Sequence, residues 1–246
     1  MSTDTPRYDT VGDQYRQYKT TATLPIAERR LFRDQAGDLT GQRVLDLATG
    51  YGAYARLAHD LGATEVVGVD ISPEMIHHAR RATDTPAVTF HTADARTTPN
   101  LGTFDLVTAV WLFNYAQTPA DLAAMAAGAA RALRPGGRLV AITINPGHDP
   151  AGPDWTPYGL TVRNATAAPG QRVLEIALLT PTGSIALSVS QWDTDIYAAA
   201  VREAGLCDLT WHLPVLTESE IAAQETGYWD TADANPFIAA FTAFLP

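Results

Sequence analysis

Val44-Leu45-Asp46-Leu47-Ala48-Thr49-Gly50-Tyr51-Gly52 reads as an apolar strand running into a glycine turn, and Ala53–Leu61 continues it as a helix closed by Gly62. Glycines in such a turn let the backbone approach a ligand closely, and the helix start adds exposed N–H groups. A tight strand–helix turn serves architecture as readily as binding, so the flanks decide. Further apolar runs follow at Val66–Val69, Ala87–Phe90, Phe104–Val110 and Arg138–Ile144, with helical patterns at Pro73–Ala82 and Pro119–Leu133. Strands that are almost continuously apolar, with helices between them, predict a parallel sheet covered on both faces. Ser72-Pro73 and Thr118-Pro119 each place a capping residue before a proline at the first helical position. Leu122, Met125, Ala126, Ala129 and Leu133 then share one helical face, and Gly136-Gly137 stops the element.

The second half has another texture. Six prolines and glycines between 146 and 158 mark a loop. Val173–Leu179 and Ile185–Gln191 flank the turn Pro181-Thr182-Gly183-Ser184, and alternation of Ile185, Leu187 and Val189 with small or polar residues predicts a half-buried hairpin. Asp195–Ala204 reads as a helix, with Leu206–Leu213 and Phe237–Leu245 as strands. The expected organisation is a single domain: a helical cover over 1–40, a core over 41–145, an insertion over 146–192, and a final helix and strands over 193–246. The insertion leaves after the fifth strand, which puts it over the carboxyl edge of the sheet.

Composition excludes several functions. The chain has 246 residues, 46% hydrophobic and 18% charged, enough to bury a sizeable core. Its net charge is −10 and Lys19 is its one lysine, so no basic patch exists for a nucleic-acid backbone. A lone Cys207 excludes an internal disulfide and a cysteine-based zinc site. No run approaches the about 18 apolar residues of a membrane span. These features predict a cytoplasmic protein with no nucleic-acid or membrane partner; its oligomeric state is open.

Two carboxylates fall at strand tips. Asp70 ends the second strand, and Asp94 follows the third in His91-Thr92-Ala93-Asp94-Ala95. Each could cap a local turn, but together with the glycine turn they mark the carboxyl edge where open α/β sheets bind ligands, and an acidic residue at the second tip can accept from ribose hydroxyls. At this point the chain resembles the class I S-adenosylmethionine-dependent methyltransferases, closely over about 40–145. The family's D-x-G-x-G-x-G is here Asp46-x-Ala48-x-Gly50-x-Gly52, with Ala48 in place of the first glycine. The resemblance implies an α/β Rossmann-like fold, a mostly parallel seven-stranded sheet with helices on both faces and a β-hairpin insertion after strand five. It also implies S-adenosylmethionine as cofactor. Ala48, Thr49 and Gly50 would line its methionine part, Asp70 would hold the ribose, Ile71 and Met75 would lie beside the adenine, and Asp94 would reach the adenine amino group with Ala95 nearby. Phe104–Trp111 matches the next motif, and its end at Val110 would border the methyl group. A nicotinamide-binding rival would call for a third glycine at position 55, where the chain has Ala55, a residue sometimes allowed there, and no Tyr-x-x-x-Lys follows the turn.

Tyr8-Asp9-x-x-Gly12-x-x-Tyr15 is similar to the segment that covers the cofactor in small-molecule methyltransferases. With Trp111–Ala116 and Asn235-Pro236-Phe237 it resembles toxoflavin-type N-methyltransferases. Tyr15 is therefore expected on the cofactor, with Tyr8 and Tyr18 closing the substrate pocket; ordinary packing of an N-terminal helix is the competing reading. Trp111, Asn114, Tyr115, Asn145, Tyr158 and Trp192 are candidates for a substrate wall, since Trp and Tyr offer flat area with a polar handle. The expected reaction methylates a nitrogen or oxygen of a small aromatic or heterocyclic metabolite in secondary metabolism, such as antibiotic biosynthesis. Alternatives are non-methylating use of the sulfonium (decarboxylation or cyclisation) and a silent binding subunit. His148 and His212 are the histidines topology favours, no catalytic base is named, and no residues have metal-ligand spacing.

Overall fold

A computed structural model describes residues 12–246. The chain opens with helices α1 (Gly12–Thr21) and α2 (Leu24–Ala36), then alternates β1 (Arg43–Leu47), α3 (Ala53–Asp60), β2 (Glu65–Asp70), α4 (Pro73–Arg81), β3 (Val88–Thr92), β4 (Phe104–Val110), α5 (Pro119–Ala132) and β5 (Leu133–Ile144). Three further strands follow, β6 (Leu160–Ala168), β7 (Gln171–Thr180) and β8 (Gly183–Trp192), and then α6 (Thr194–Glu203) and β9 (Cys207–His212). Short helices α7 (Glu218–Ala222) and α8 (Asp230–Ala234) lead into β10 (Ile238–Phe244).

The main sheet has seven strands in the order β3-β2-β1-β4-β5-β10-β9. β1 through β5 pair in parallel, and β10 runs antiparallel between β5 and β9. This is the expected Rossmann-like arrangement. Alternation along β4 divides the core: Leu106 and Val110 join one apolar cluster with Leu31, Phe32, Tyr54 and Ile76, while Val107 and Ala109 join the other with Leu122, Met125 and Tyr197. Helices α2, α3 and α4 thus cover one face and α5 and α6 the other. Local chemistry fixes the helix starts: the Ser72 hydroxyl accepts from Met75 N at 3.1 Å, and Thr118 and Asp121 form a reciprocal capping box, worth about 1 kcal/mol of helix stability.

The hairpin expected over 173–191 is present as β7 and β8, and β6 adds a third antiparallel strand to make a second sheet. The sequence of β6 hides it, because Ala165, Ala167 and Ala168 carry little β-propensity and the strand is held by pairing to β7. Trp192, a candidate for the substrate wall with core packing at a strand end as the competing reading, is 1% exposed in the cluster with Tyr197 and Phe241. It ends β8 where the strand dives under α6, so its indole packs the interior.

Candidate active site

The chain leaves β1 for β2 on one side, and β4 lies on the other. Such a switch in strand order opens a crevice at the carboxyl ends. A cavity of about 690 Å³ sits there. Its floor is made of strand tips: Ala48 and Gly50 after β1, Asp70 and Ile71 at β2, Asp94 and Ala95 after β3, and Val110 with Trp111 at β4, while Met75 joins from α4.

The first turn is strongly bent. Ala48, Gly50 and Gly52 have φ of 57°, 55° and 81°, all in the left-handed region. A Cβ added at Gly50 would meet nothing within 4 Å, so the backbone there borders open space, whereas one at Gly52 would meet the Phe90 ring at 2.7 Å. Gly50 therefore belongs to the cavity, and Gly52 serves packing. Asp70 is set rigidly: one carboxylate oxygen accepts from Gly50 N at 2.8 Å and the other from Ser72 N at 2.9 Å. Asp46 lies behind the turn, fully buried, accepting from the Thr49 and Thr108 hydroxyls at 2.6 and 2.7 Å. Burial raises its carboxyl to about 6 despite those two hydroxyls, and the nearby Asp70 charge adds to the rise. Asp46 and Thr49 thus build the turn from behind and do not line the cavity.

Asp94 does line the cavity, but the Arg96 guanidinium engages both its oxygens and the Arg96 backbone N–H donates to Oδ1 at 2.9 Å. Burial pushes this carboxyl up, and the hydrogen bonds and charge of Arg96 outweigh it, leaving it below the usual range. Any purine amino group would share Asp94 with a guanidinium that the sequence reading did not anticipate.

The other end of the cavity is aromatic. Tyr15 from α1 reaches it beside Trp111, Asn114 and Tyr115, and Val173, Ser188, Val189 and Ser190 of the second sheet form the facing wall. Trp111 has φ 61°, and its N–H donates to Ile142 O at 2.9 Å. For a bulky residue that conformation costs about 1–3 kcal/mol, strain of the sort concentrated at functional sites. Past Trp111 lies a small chamber of about 30 Å³, bounded by Tyr15, Tyr18, Lys19, Glu28, Trp111 and Asn114 and closed by apolar residues of β7 and β8. Lys19 and Glu28 form a buried ion pair, the Tyr54 hydroxyl donates to Glu28 Oε2 at 2.9 Å, and Lys19 Nζ lies 5.4 Å from the Tyr15 ring centroid and 5.7 Å from that of Trp111. Burial lowers the Lys19 pKa, with Glu28 opposing the shift.

Of the remaining expected wall residues, Tyr8 lies outside the described residues. Asn145 ties its loop to the approach to β10, donating to Pro236 O and accepting from Gly147 N. Tyr158 is buried among Trp155, Tyr228 and Trp229 and donates to Tyr228 O. Neither borders the cavity, because 145–158 folds against α8 and its approach instead of over the strand tips. His148 is lodged against Trp155 and Phe237, its pKa lowered by burial, and His212 pairs with Thr242 on the far edge. Among the described residues no three His, Cys, Asp or Glu side chains cluster as metal ligands, and no helix is long and apolar enough to cross a membrane.

The residues present fit an adenosyl sulfonium cofactor. Gly50 offers a backbone cradle, Asp70 a fixed carboxylate for a diol, and Ile71, Met75 and Ala95 apolar surface for a purine, within a volume suited to a ligand of that size. Missed at the level of sequence were Arg96, the β7–β8 wall and Glu28. The last left a signal: Glu28 falls on the apolar stripe Leu24, Leu31, Phe32 at i+4 and i−3/i−4 spacing, where a charge is out of place.

Comparison with known proteins agrees with this geometry. Residues 44–137 match the family described as a methyltransferase domain. Over 211 residues the chain is 30% identical to a demethylmenaquinone methyltransferase of Renibacterium salmoninarum, covering 84% of this chain and 81% of that one. It is 41% identical over 100 residues to a ribosomal protein L11 methyltransferase of Ralstonia pickettii, a match spanning 41% of this chain and only 31% of the relative. The fold is shared with an amino pentose methyltransferase from Micromonospora echinaspora solved with S-adenosylmethionine bound, at 21% identity and a TM-score of 0.57 over 96% of this chain and 97% of that one.

Proposed function

Because the chain belongs to the S-adenosylmethionine-dependent methyltransferases, we propose that it methylates a nitrogen or oxygen of a small aromatic or heterocyclic metabolite in secondary metabolism, in the manner of toxoflavin-type N-methyltransferases. One observation carries the reading: the cofactor-side residues Gly50, Asp70 and Met75 and the aromatic residues Tyr15, Trp111 and Tyr115 border a single cavity, roofed by β7 and β8. A walled cavity suits a molecule that can be enclosed, and the charge of −10 disfavours nucleic acid.

When bound, S-adenosylmethionine supplies a methyl carbon attached to a positively charged sulfur. The chain's part is positioning and exclusion of water, which supply much of the acceleration in such a displacement. Asp70 would hold the ribose hydroxyls, Ile71 and Met75 would flank the purine, and Tyr15 with Trp111 would wall the acceptor end of the cavity against water. Incubation with S-adenosylmethionine and a panel of aromatic amines, phenols and aza-arenes tests the proposal. A product one methylene heavier, with release of S-adenosylhomocysteine, is expected; decarboxylated or cyclised product, or methyl label recovered only in protein or RNA, contradicts it.

A further inference from the structure

Four residues bounding the small chamber each carry a buried polar atom with no hydrogen-bond partner among the described residues: Tyr18 Oη, Glu28 Oε1, Trp111 Nε1 and Asn114 Oδ1. Orphans of this kind are rare in protein interiors, and four around one chamber ask for a common partner. The arrangement of Glu28 sharpens the point. Its Oε2 is occupied by Lys19 and Tyr54, while Oε1 is left over although the residue is 0% exposed. A lone internal carboxylate needs one countercharge, which Lys19 supplies, so the second oxygen is not there to hold the pair together.

The inventory defines what fits. Glu28 Oε1 and Asn114 Oδ1 accept hydrogen bonds, the Trp111 indole donates, and the Tyr18 hydroxyl can donate. An apolar substituent would leave all four unpaired. An anion would face Glu28, and a further cation would face Lys19. A neutral group that donates and accepts at once satisfies both sides, and about 30 Å³ admits a group the size of water but not a ring. The ring must then rest in the adjoining large cavity, against Trp111 and Tyr115, which border both spaces.

We infer that this chamber seats a hydroxyl or N–H of the acceptor molecule, with Glu28 as the specificity-determining residue that requires a hydrogen-bond donor there. The inference rests on the proposed methylation of a small aromatic acceptor. Lys19 and Tyr54 position Glu28, and Trp111 places the ring and its polar substituent at the cavity's inner end. A molecule lacking the donor leaves a buried carboxylate oxygen unpaired, which discriminates far more sharply than a missing methylene does.

The test uses the full chain loaded with S-adenosylhomocysteine and two near-isosteric probe pairs, phenol with fluorobenzene and meta-hydroxypyridine with meta-fluoropyridine. Affinities come from ligand-observed NMR titration. The hydroxylated probe of each pair is expected to bind at least about tenfold tighter than the fluorinated one. Glu28→Gln should shrink that preference to about threefold by replacing a charged acceptor with a neutral one. Trp111→Phe, which keeps a ring and removes the indole N–H, should weaken the hydroxylated probes while sparing the fluorinated ones; it decides the matter if Glu28→Gln does not fold. Equal binding within each pair by the unaltered protein, failure of both hydroxylated probes to bind, or an unchanged preference in a folded Glu28→Gln or in Trp111→Phe overturns the inference. If S-adenosylhomocysteine itself gives no rise in melting temperature, the methyltransferase reading fails instead, a distinct result.

Discussion

At φ 57°, Ala48 holds a backbone conformation that costs an L-residue about 1–2 kcal/mol and glycine almost nothing. Ala48→Gly relieves that strain but gives the unfolded chain more freedom, an offset of about 0.4–1 kcal/mol. The expected net is a melting temperature up by about 2 °C. Ala48→Val puts a β-branched side chain in the same conformation and into the cavity, so stability should fall by about 2 kcal/mol and S-adenosylhomocysteine binding should weaken. Thermal melts and calorimetry read both; a Val variant that melts and binds like the parent would show that the turn is not strained. Asp46 carries a pH signature. Its carboxyl is raised to about 6 in the fold from 3.8, so the folded state binds more protons than the unfolded one between those values. Its contribution is complete below the lower value and is lost as pH rises through the upper one, about 3 kcal/mol in all. Asp46→Asn should therefore flatten the decline in stability between about pH 4 and about pH 7, measured by urea unfolding; a variant whose stability runs parallel to the parent's contradicts it. Both residues were readable as a motif, since a strand–turn–helix needs local chemistry alone. What Asp94 does was not, because its partner choice between a ligand and Arg96 depends on side-chain geometry two residues on.

Among the elements, the second sheet departs most from a sequence-level picture. The alternation in β8 announces a hairpin, but nothing in 160–168 announces β6, and only pairing with β7 makes it a strand. Its attachment to the core is equally unannounced. Gln191, buried near the end of β8, donates to Asn145 O and His148 O at 2.8 Å and to Pro146 O at 3.3 Å, tying the sheet to the loop after β5. Gln191→Leu should leave those carbonyls short of a donor and cost about 2 kcal/mol, a drop near 6 °C in melting temperature. Cofactor affinity should hold, because Gln191 does not border the cavity. A large loss of affinity with no change in melting would show that this tie positions the roof and does not stabilise it. Glu28 teaches the converse: its place on the apolar stripe of α2 is visible in the sequence, yet its meaning appears only once α1 brings Lys19 beside it.

For the molecule as a whole, the site is assembled from three regions distant along the chain: α1 and α2, the strand tips of 44–115, and the face of β7 and β8. The middle region holds the match to the methyltransferase-domain family and was legible, because cofactor chemistry fixes its spacing. The outer two meet only through tertiary contacts, which no local pattern encodes, and they surround the aromatic end of the cavity. Closure of the site is thus a property of how α1 docks, with Tyr15 and Tyr18 facing the cavities and Lys19 paired inside.

That docking has a practical corollary. Lys19 is the chain's only side-chain amine, and it lies at 6% exposure on the inner face of α1, paired with Glu28. Acylating reagents can reach it only when the helix lifts, so its labelling is a clock for a single opening event, free of background from other lysines. Mass spectrometry of the Lys19 peptide should show slow acylation in the resting protein and slower acylation with S-adenosylhomocysteine bound, through Tyr15. Rapid labelling of folded protein would mean that α1 is not seated. A chain that spends arginine everywhere else has left one amine as a built-in reporter of how firmly that helix is seated.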